Sequence, residues 1–156
     1  MADASRRVTL ERLLHAYDEH DYETLRRLVT SDYVEEYPQT GERVRGIENV
    51  IATMEHYPGG LARGRTDLRS ARLVGEDDAW VAGPSFGVVH VEGSGDSWSG
   101  VARIRYPDGT DWFVATFVEF RGDRIARNTE YFAPAELPAP EWRRAWVERI
   151  DGSDRA

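Results

Sequence analysis

The hydrophobic periodicity of the chain changes once, and that change constrains the fold more than any other feature. Up to Gly60 the apolar residues recur at helical spacing; beyond it they fall in short runs rich in aromatic and β-branched residues. Over residues 8–17, Leu10, Leu13, Leu14 and Tyr17 form one stripe of an amphipathic helix. Asp21 reads as the N-cap of a second helix, with Glu23 in its first turn near the positive end of the helix dipole. Tyr22, Leu25, Leu28 and Val29 are its apolar stripe, and Ser31-Asp32 is expected to end it. Residues 33–37 read as a short strand closed by Pro38. A third helix is expected from about Gly46, with Ile47, Val50, Ile51 and Met54 inward, stopped by Pro58-Gly59-Gly60.

The rest is strand-like. Runs at 68–74, 79–91, 98–106, 111–121 and 124–132 are separated by turn residues. Pro107-Asp108-Gly109 and Arg121-Gly122-Asp123 read as tight turns; the second spells a cell-adhesion tripeptide, but a hairpin needing glycine explains it. Gly83-Pro84 suggests a bulge, and Gly93-Ser94-Gly95 a turn between strands. Residues 112–120 are apolar on both faces, which predicts a central strand covered on both sides. A last helix over about 138–150 is expected, with Trp142, Trp146 and Ile150 at four-residue spacing and a frayed tail at 151–156. That stripe packs on the domain or a partner protomer, or it closes as a lid. Helices first and an antiparallel sheet afterwards give an α+β fold, one domain over 1–156.

Two absences remove whole chemistries. There is no cysteine, so thiol nucleophiles, disulfides and cysteine-held metal centres are excluded. There is no lysine either, all 20 basic residues being arginine, so Schiff-base chemistry is excluded. A net charge of −8 is the wrong sign for a nucleic-acid footprint. The one basic run, Arg63, Arg65, Arg69 and Arg72, reads as the solvated face of a strand. No stretch is long and apolar enough for a membrane helix and no apolar signal segment is evident, so a cytoplasmic location is expected. No metal site is expected: His15 and His20 are five apart, off a common helical face, and His56 and His90 are isolated.

Several segments resemble the nuclear transport factor 2-like superfamily and, within it, its SnoaL-like branch. Residues 13–25 resemble the opening helix pair, with a short acidic turn before an aromatic and a leucine. Tyr33-Val34-Glu35-Glu36-Tyr37-Pro38 resembles the first strand, Arg45-Gly46-Ile47 the entry to the third helix, and Arg127-Asn128-Thr129-Glu130-Tyr131-Phe132 the last strand. The resemblance covers residues 8–132. It implies a cone: three N-terminal helices held in a curved mixed or antiparallel sheet, with an apolar cavity open at one end. It further implies work without a cofactor, a small apolar or aromatic ligand, and a homodimer through the outer sheet face. Fold alone does not give the activity.

The same resemblance allows residue-by-residue tests. The tyrosine, base and buried acid of a ketosteroid isomerase fall on Leu13, Tyr37 and Thr116; all three fail, so isomerisation by that mechanism is discarded. A scytalone dehydratase would match its tyrosine–aspartate pair to Tyr17-Asp18 and its strand tyrosine to Tyr37, with His90 as the sole candidate for its histidines. Of an epoxide hydrolase's Asp-Arg-Asp set, only Glu130 has a place.

Read from the residues alone, strand alternation puts Tyr33, Glu35 and Tyr37 on one face and Asn128, Glu130 and Phe132 on one face of another strand. If both faces look into an apolar chamber, desolvation and mutual repulsion raise a carboxyl pKa, the recipe for a general acid or base near neutrality. The expected catalytic residues are therefore Glu130, Asn128 and Glu35. The expected ligand-contacting residues are Tyr17, Tyr33, Tyr37, His90, Trp112, Thr116 and Phe132. These residues suit a lyase, isomerase or cyclase; the alternative is a non-catalytic ligand-binding or dimerisation protein of the same fold, its buried carboxylates structural and ion-paired with some of the 20 arginines.

Overall fold

The computed structural model describes residues 2–61 and 90–148, the side chain of His90 excepted. The strand expected over 68–74, most of that over 79–91, the arginine run 63–72, the Gly83-Pro84 bulge, Ile150 and the tail lie outside the described residues.

Helix α1 spans Ala2–Glu19, two turns longer at its start than the apolar stripe implied. Its added turns are tied down from elsewhere. Arg6 pairs with Asp96 at 2.6 Å, its guanidinium lies over the Phe120 ring, and Arg7 donates to the Val91 carbonyl. The helix buries Leu10, Leu13 and Ala16, and it ends with His20 in the left-handed region at φ 54°. The amides of His20 and Asp21 bond back to the carbonyls of Tyr17 and Ala16, closing the last turn as a Schellman cap. Asp21 then caps α2 (Tyr22–Leu28) by accepting from the Thr24 amide at 3.0 Å, as the sequence predicts.

Strand β1 spans Val29–Tyr37 and follows α2 with no intervening loop. The expected helix end at Ser31-Asp32 is corrected: Val29 is already extended, at φ −109° and ψ 162°. A β-branched side chain at a helix terminus favours the strand, and here it pairs with Ile125. A short strand that the pattern did not reveal, β2 (Glu42–Arg45), turns back on β1, and Gly46 at φ 79° leads into α3 (Ile47–Glu55). The remaining strands are β3 (His90–Ser94), β4 (Ser97–Arg105), β5 (Asp111–Arg121) and β6 (Arg124–Pro134). Gly93 and Ser94 belong to β3, and the turn is shifted to Gly95-Asp96.

The six strands order as β2-β1-β6-β5-β4-β3, antiparallel throughout except for the parallel β1–β6 pair. The core lies between the helices and the inner face of this mixed sheet, where Leu10, Leu13, Leu25, Tyr33, Val91, Trp98, Val118 and Ile125 are buried. β5 is central as expected, but it is covered on one side only. Phe117 and Tyr131 on the outer face are 49% and 43% exposed and meet edge to face at 5.9 Å.

The C-terminal helix is a six-residue 3-10 segment, Glu141–Trp146. Prolines at 138 and 140 restrict its approach, and Val147 is extended. At three residues per turn, a four-residue spacing no longer makes one stripe. Trp142 and Trp146 are 77% and 79% exposed, so among the described residues the expected packing of that stripe on its own domain is not seen.

Candidate functional site

A cavity of about 540 Å³ opens between α1, α3 and the inner face of the sheet, a size usual for small-molecule sites. Leu14, Val44, Val50, Met54, Ile104 and Val114 supply its apolar wall. Both expected carboxyls, Glu35 and Glu130, line it.

Glu35 is 2% exposed and is surrounded by phenols. The hydroxyls of Tyr17 and Tyr33 donate to Oε2 at 2.6 and 2.8 Å, and that of Tyr37 donates to Oε1. One helix and one strand build this group. Tyr17 hangs from the last turn of α1, while Tyr33, Glu35 and Tyr37 share the inward face of β1. All three tyrosine hydroxyls are held well above their usual pKa, by burial first and by the charge of Glu35 second.

Glu130 has a different environment. Oε1 accepts from Asn128 Nδ2 at 2.9 Å and, more weakly, from Thr116 Oγ1 at 3.5 Å. Oε2 has no partner among the described residues. Burial, then the nearby charge of Glu35, pushes this carboxyl up to about 8, against the lowering effect of the Asn128 and Thr116 hydrogen bonds. At neutral pH it is a carboxylic acid and can donate. Neither acid has an ion pair among the described residues. Arg43 lines the cavity, but its guanidinium bonds Glu36 at 2.7 Å on the opposite face of β1.

The other expected residues divide into liners and supports. Tyr17, Tyr37, Thr116 and Phe132 line the cavity with the two acids. Tyr33 and Asn128 are fully buried behind it, touching Glu35 and Glu130 respectively. Trp112 stands at the mouth, in an adjoining hollow of about 480 Å³, with its indole donating to Thr110. The His90 side chain lies outside the described residues. The sequence reading missed Tyr106, Tyr57, His20 and Glu42, which also line the cavity, as does Asp18, which only the dehydratase resemblance had singled out. Both tyrosines were within reach: Tyr106 continues the Trp98, Ala102, Ile104 alternation, and Tyr57 continues the Val50, Met54 stripe just past the end of α3. Among the described residues, His15, Asp18 and Glu19 bring possible metal-ligand atoms within 4.8 Å of one another at the end of α1; His15 is exposed.

Residues 10–128 match the SnoaL-like domain family. The chain belongs to that family. Its SnoaL-like fold is shared by solved structures across nearly its whole length. One is an NTF-2 like protein of unknown function from Burkholderia xenovorans LB400, 25% identical, with a TM-score of 0.71 over 97% of this chain and 99% of that one. Another is a putative ketosteroid isomerase from Kribbella flavida DSM 17836, at 19% identity and TM-score 0.64 over 95% and 91%. A third is an LEH-like epoxide hydrolase from M. tuberculosis, at 16% and 0.55 over 83% and 84%. No curated protein matches the SnoaL-like chain in sequence. Among the described residues, no helix is long and apolar enough to cross a membrane.

Proposed function

We propose that this protein binds a small, largely apolar molecule in its cavity and moves a proton on it without a cofactor, as a lyase, isomerase or cyclase. Glu130 is the acid–base group. The observation that carries this reading is the pairing state of the acids: Glu130 meets a cavity through an oxygen with no partner among the described residues, where an architectural role calls for an ion pair. Asn128 and Thr116 fix its other oxygen. Burial and the nearby charge of Glu35 keep Glu130 protonated, and Tyr37, whose hydroxyl donates to Glu35, holds that carboxylate against the cavity.

The ketosteroid isomerase set fails position by position, but the same residue types gather in this cavity from neighbouring positions. The positions that should carry its tyrosine, base and acid are Leu13, Tyr37 and Thr116. Each missing group is present one step away on the same face: Tyr17 one helical turn on, Glu35 two residues back along the strand, Glu130 directly across the ladder from Thr116. A tyrosine and two carboxyls are thus reassembled from different positions.

The test is deuterium exchange into 2-tetralone and cyclohexenone in heavy water, followed by proton NMR. General acid–base catalysis contributes about 10²–10⁴-fold, so wild type should exchange α-protons well above the buffer rate and Glu130→Gln should lose that excess. Ligand binding without exchange would leave a binding protein and overturn the catalytic part of the reading.

A further inference from the structure

We propose that the ligand of this cavity is an organic cation, an amine or ammonium group carried on an apolar body. The inference rests on the cavity being a small-molecule site and names what that site selects.

The lining is acidic. Glu35, Glu42 and Glu130 line the inner cavity, and Asp108 joins at the mouth. Arg43 is the only arginine among the described lining residues, and Glu36 already holds its guanidinium. In a partly desolvated chamber, acidic groups that outnumber the lining arginine repel anions and attract cations. With a neutral ligand Glu130 stays an uncharged acid beside Glu35; a cation lets both carry charge.

The wall toward the mouth is aromatic. Tyr57 and Tyr106 stack at 5.7 Å, Trp112 meets Tyr106 edge-on at 6.3 Å, and Tyr37 packs against Phe132 at 6.0 Å. These rings run from the mouth hollow to the carboxyl of Glu130, because Tyr37, Tyr57, Tyr106 and Phe132 border both spaces. Aromatic faces beside carboxylates are the combination that recognises ammonium groups, through the ring quadrupole and direct charge. A bare metal ion fits less well. The Glu35 oxygens are taken by three phenols, and ring faces do not coordinate hard cations.

Glu130 is the anchor. The groups that face it are Glu35 on β1, the phenols of Tyr17, Tyr33 and Tyr37, Tyr106 after β4, and the hydrogen-bonding Asn128 and Thr116. An ammonium against Oε2 favours the ionised carboxylate, so binding at neutral pH releases the Glu130 proton to solvent and leaves a base in place.

The experiment is calorimetry on the full chain with benzyltrimethylammonium and its uncharged isostere neopentylbenzene, with benzoate as the anionic control. The quaternary cation cannot lose a proton, so any proton released comes from the protein. Wild type should bind it about tenfold or more tightly over the isostere, and should not bind benzoate. Titrations near neutral pH in phosphate and Tris should differ in heat by release of close to one proton, and Glu130→Gln should lose both the preference and the release. The wild-type comparison decides the matter even if that variant does not fold. Equal or tighter binding of neopentylbenzene overturns the inference while leaving exchange into 2-tetralone intact. Binding of neither probe overturns it together with the cavity reading.

Discussion

Glu35 stands opposite Asn128 across the parallel β1–β6 pair, so Glu130 lies one inward-facing position further along the neighbouring strand. Two carboxyls therefore share one cavity, and their surroundings drive them apart. Glu35 is satisfied by three hydroxyl donors; Glu130 has two donors on one oxygen and the cavity on the other. Divergent environments for paired titrating groups are how acid and base roles are assigned within one site.

The first consequence is a pH dependence of stability. Glu130 has a folded pKa of about 8, above its value in the unfolded chain. Between the two values the folded state holds the extra proton, so stability falls as pH rises and levels off above about 8. Glu130→Gln cannot ionise. Urea unfolding should show the variant close to wild type near pH 5 and more stable than wild type by about 1–3 kcal/mol near pH 7. A variant that is destabilised at both pH values would make Glu130 an architectural residue.

The phenols give a second prediction, because Tyr33 and Tyr37 touch the same carboxylate from different sides. Tyr33 is fully buried and does not meet the cavity; Tyr37 lines it. Tyr33→Phe should cost about 1.5–3 kcal/mol, the usual loss for a hydrogen bond to a charged group, and leave ligand affinity nearly unchanged. Tyr37→Phe should weaken binding of benzyltrimethylammonium or exchange into 2-tetralone. In an alkaline titration followed by ultraviolet absorbance, Tyr17, Tyr33 and Tyr37 should stay protonated beyond the range in which exposed tyrosines ionise, until the protein unfolds. Ionisation of all seven tyrosines in one step near pH 10 would contradict the cluster.

How much of this was legible in the sequence follows from which signals are local. The α+β order, the Asp21 cap, the Gly46 entry and the faces of Glu35 and Glu130 were readable, because caps and strand alternation depend on near neighbours. The start of β1 was misplaced because Val29 fits a helical stripe equally well, and only its pairing with Ile125, far along the chain, decides the matter. The length of α1 was underestimated because polar residues hold its first turns through Asp96 and Val91. The supports Tyr33 and Asn128 were named as site residues because alternation gives a face but not depth. Their position behind the acids depends on the parallel register between β1 and β6, which no local pattern encodes.

A third prediction concerns the hairpin that braces α1. Gly93 has φ 154° and lies against Trp98, its partner across β3–β4. A β-carbon there would meet the Ser97 carbonyl oxygen at 2.5 Å and the Trp98 Cα at 2.7 Å, both backbone atoms that cannot swing away. Gly93→Ala should destabilise the protein by about 2 kcal/mol or more and lower Tm by roughly 4–8 °C. Thermal denaturation checks it; an unchanged Tm would mean the hairpin backbone shifts freely. Gly122→Ala is the comparison, since it has a similarly positive φ of 67° but open space around its β-carbon.

The last prediction concerns the outer face of the sheet. Phe117 and Tyr131 form an exposed edge-to-face pair there, on adjacent strands. Large aromatics without cover are enriched where proteins meet, and a central aromatic pair commonly contributes most of the binding energy. A homodimer through this face is the expected assembly. Light scattering at about 50 μM should return twice the 17.7 kDa chain mass, and Phe117→Asp should shift the protein to monomer while preserving its Tm near neutral pH. Trp142 and Trp146 offer a competing surface, being more exposed still. The double variant Trp142→Ser, Trp146→Ser should leave the dimer intact if the sheet is the interface. A dimer that survives Phe117→Asp but is lost in the tryptophan variant would move the interface to the C-terminal segment, and a monomeric wild type would remove it altogether.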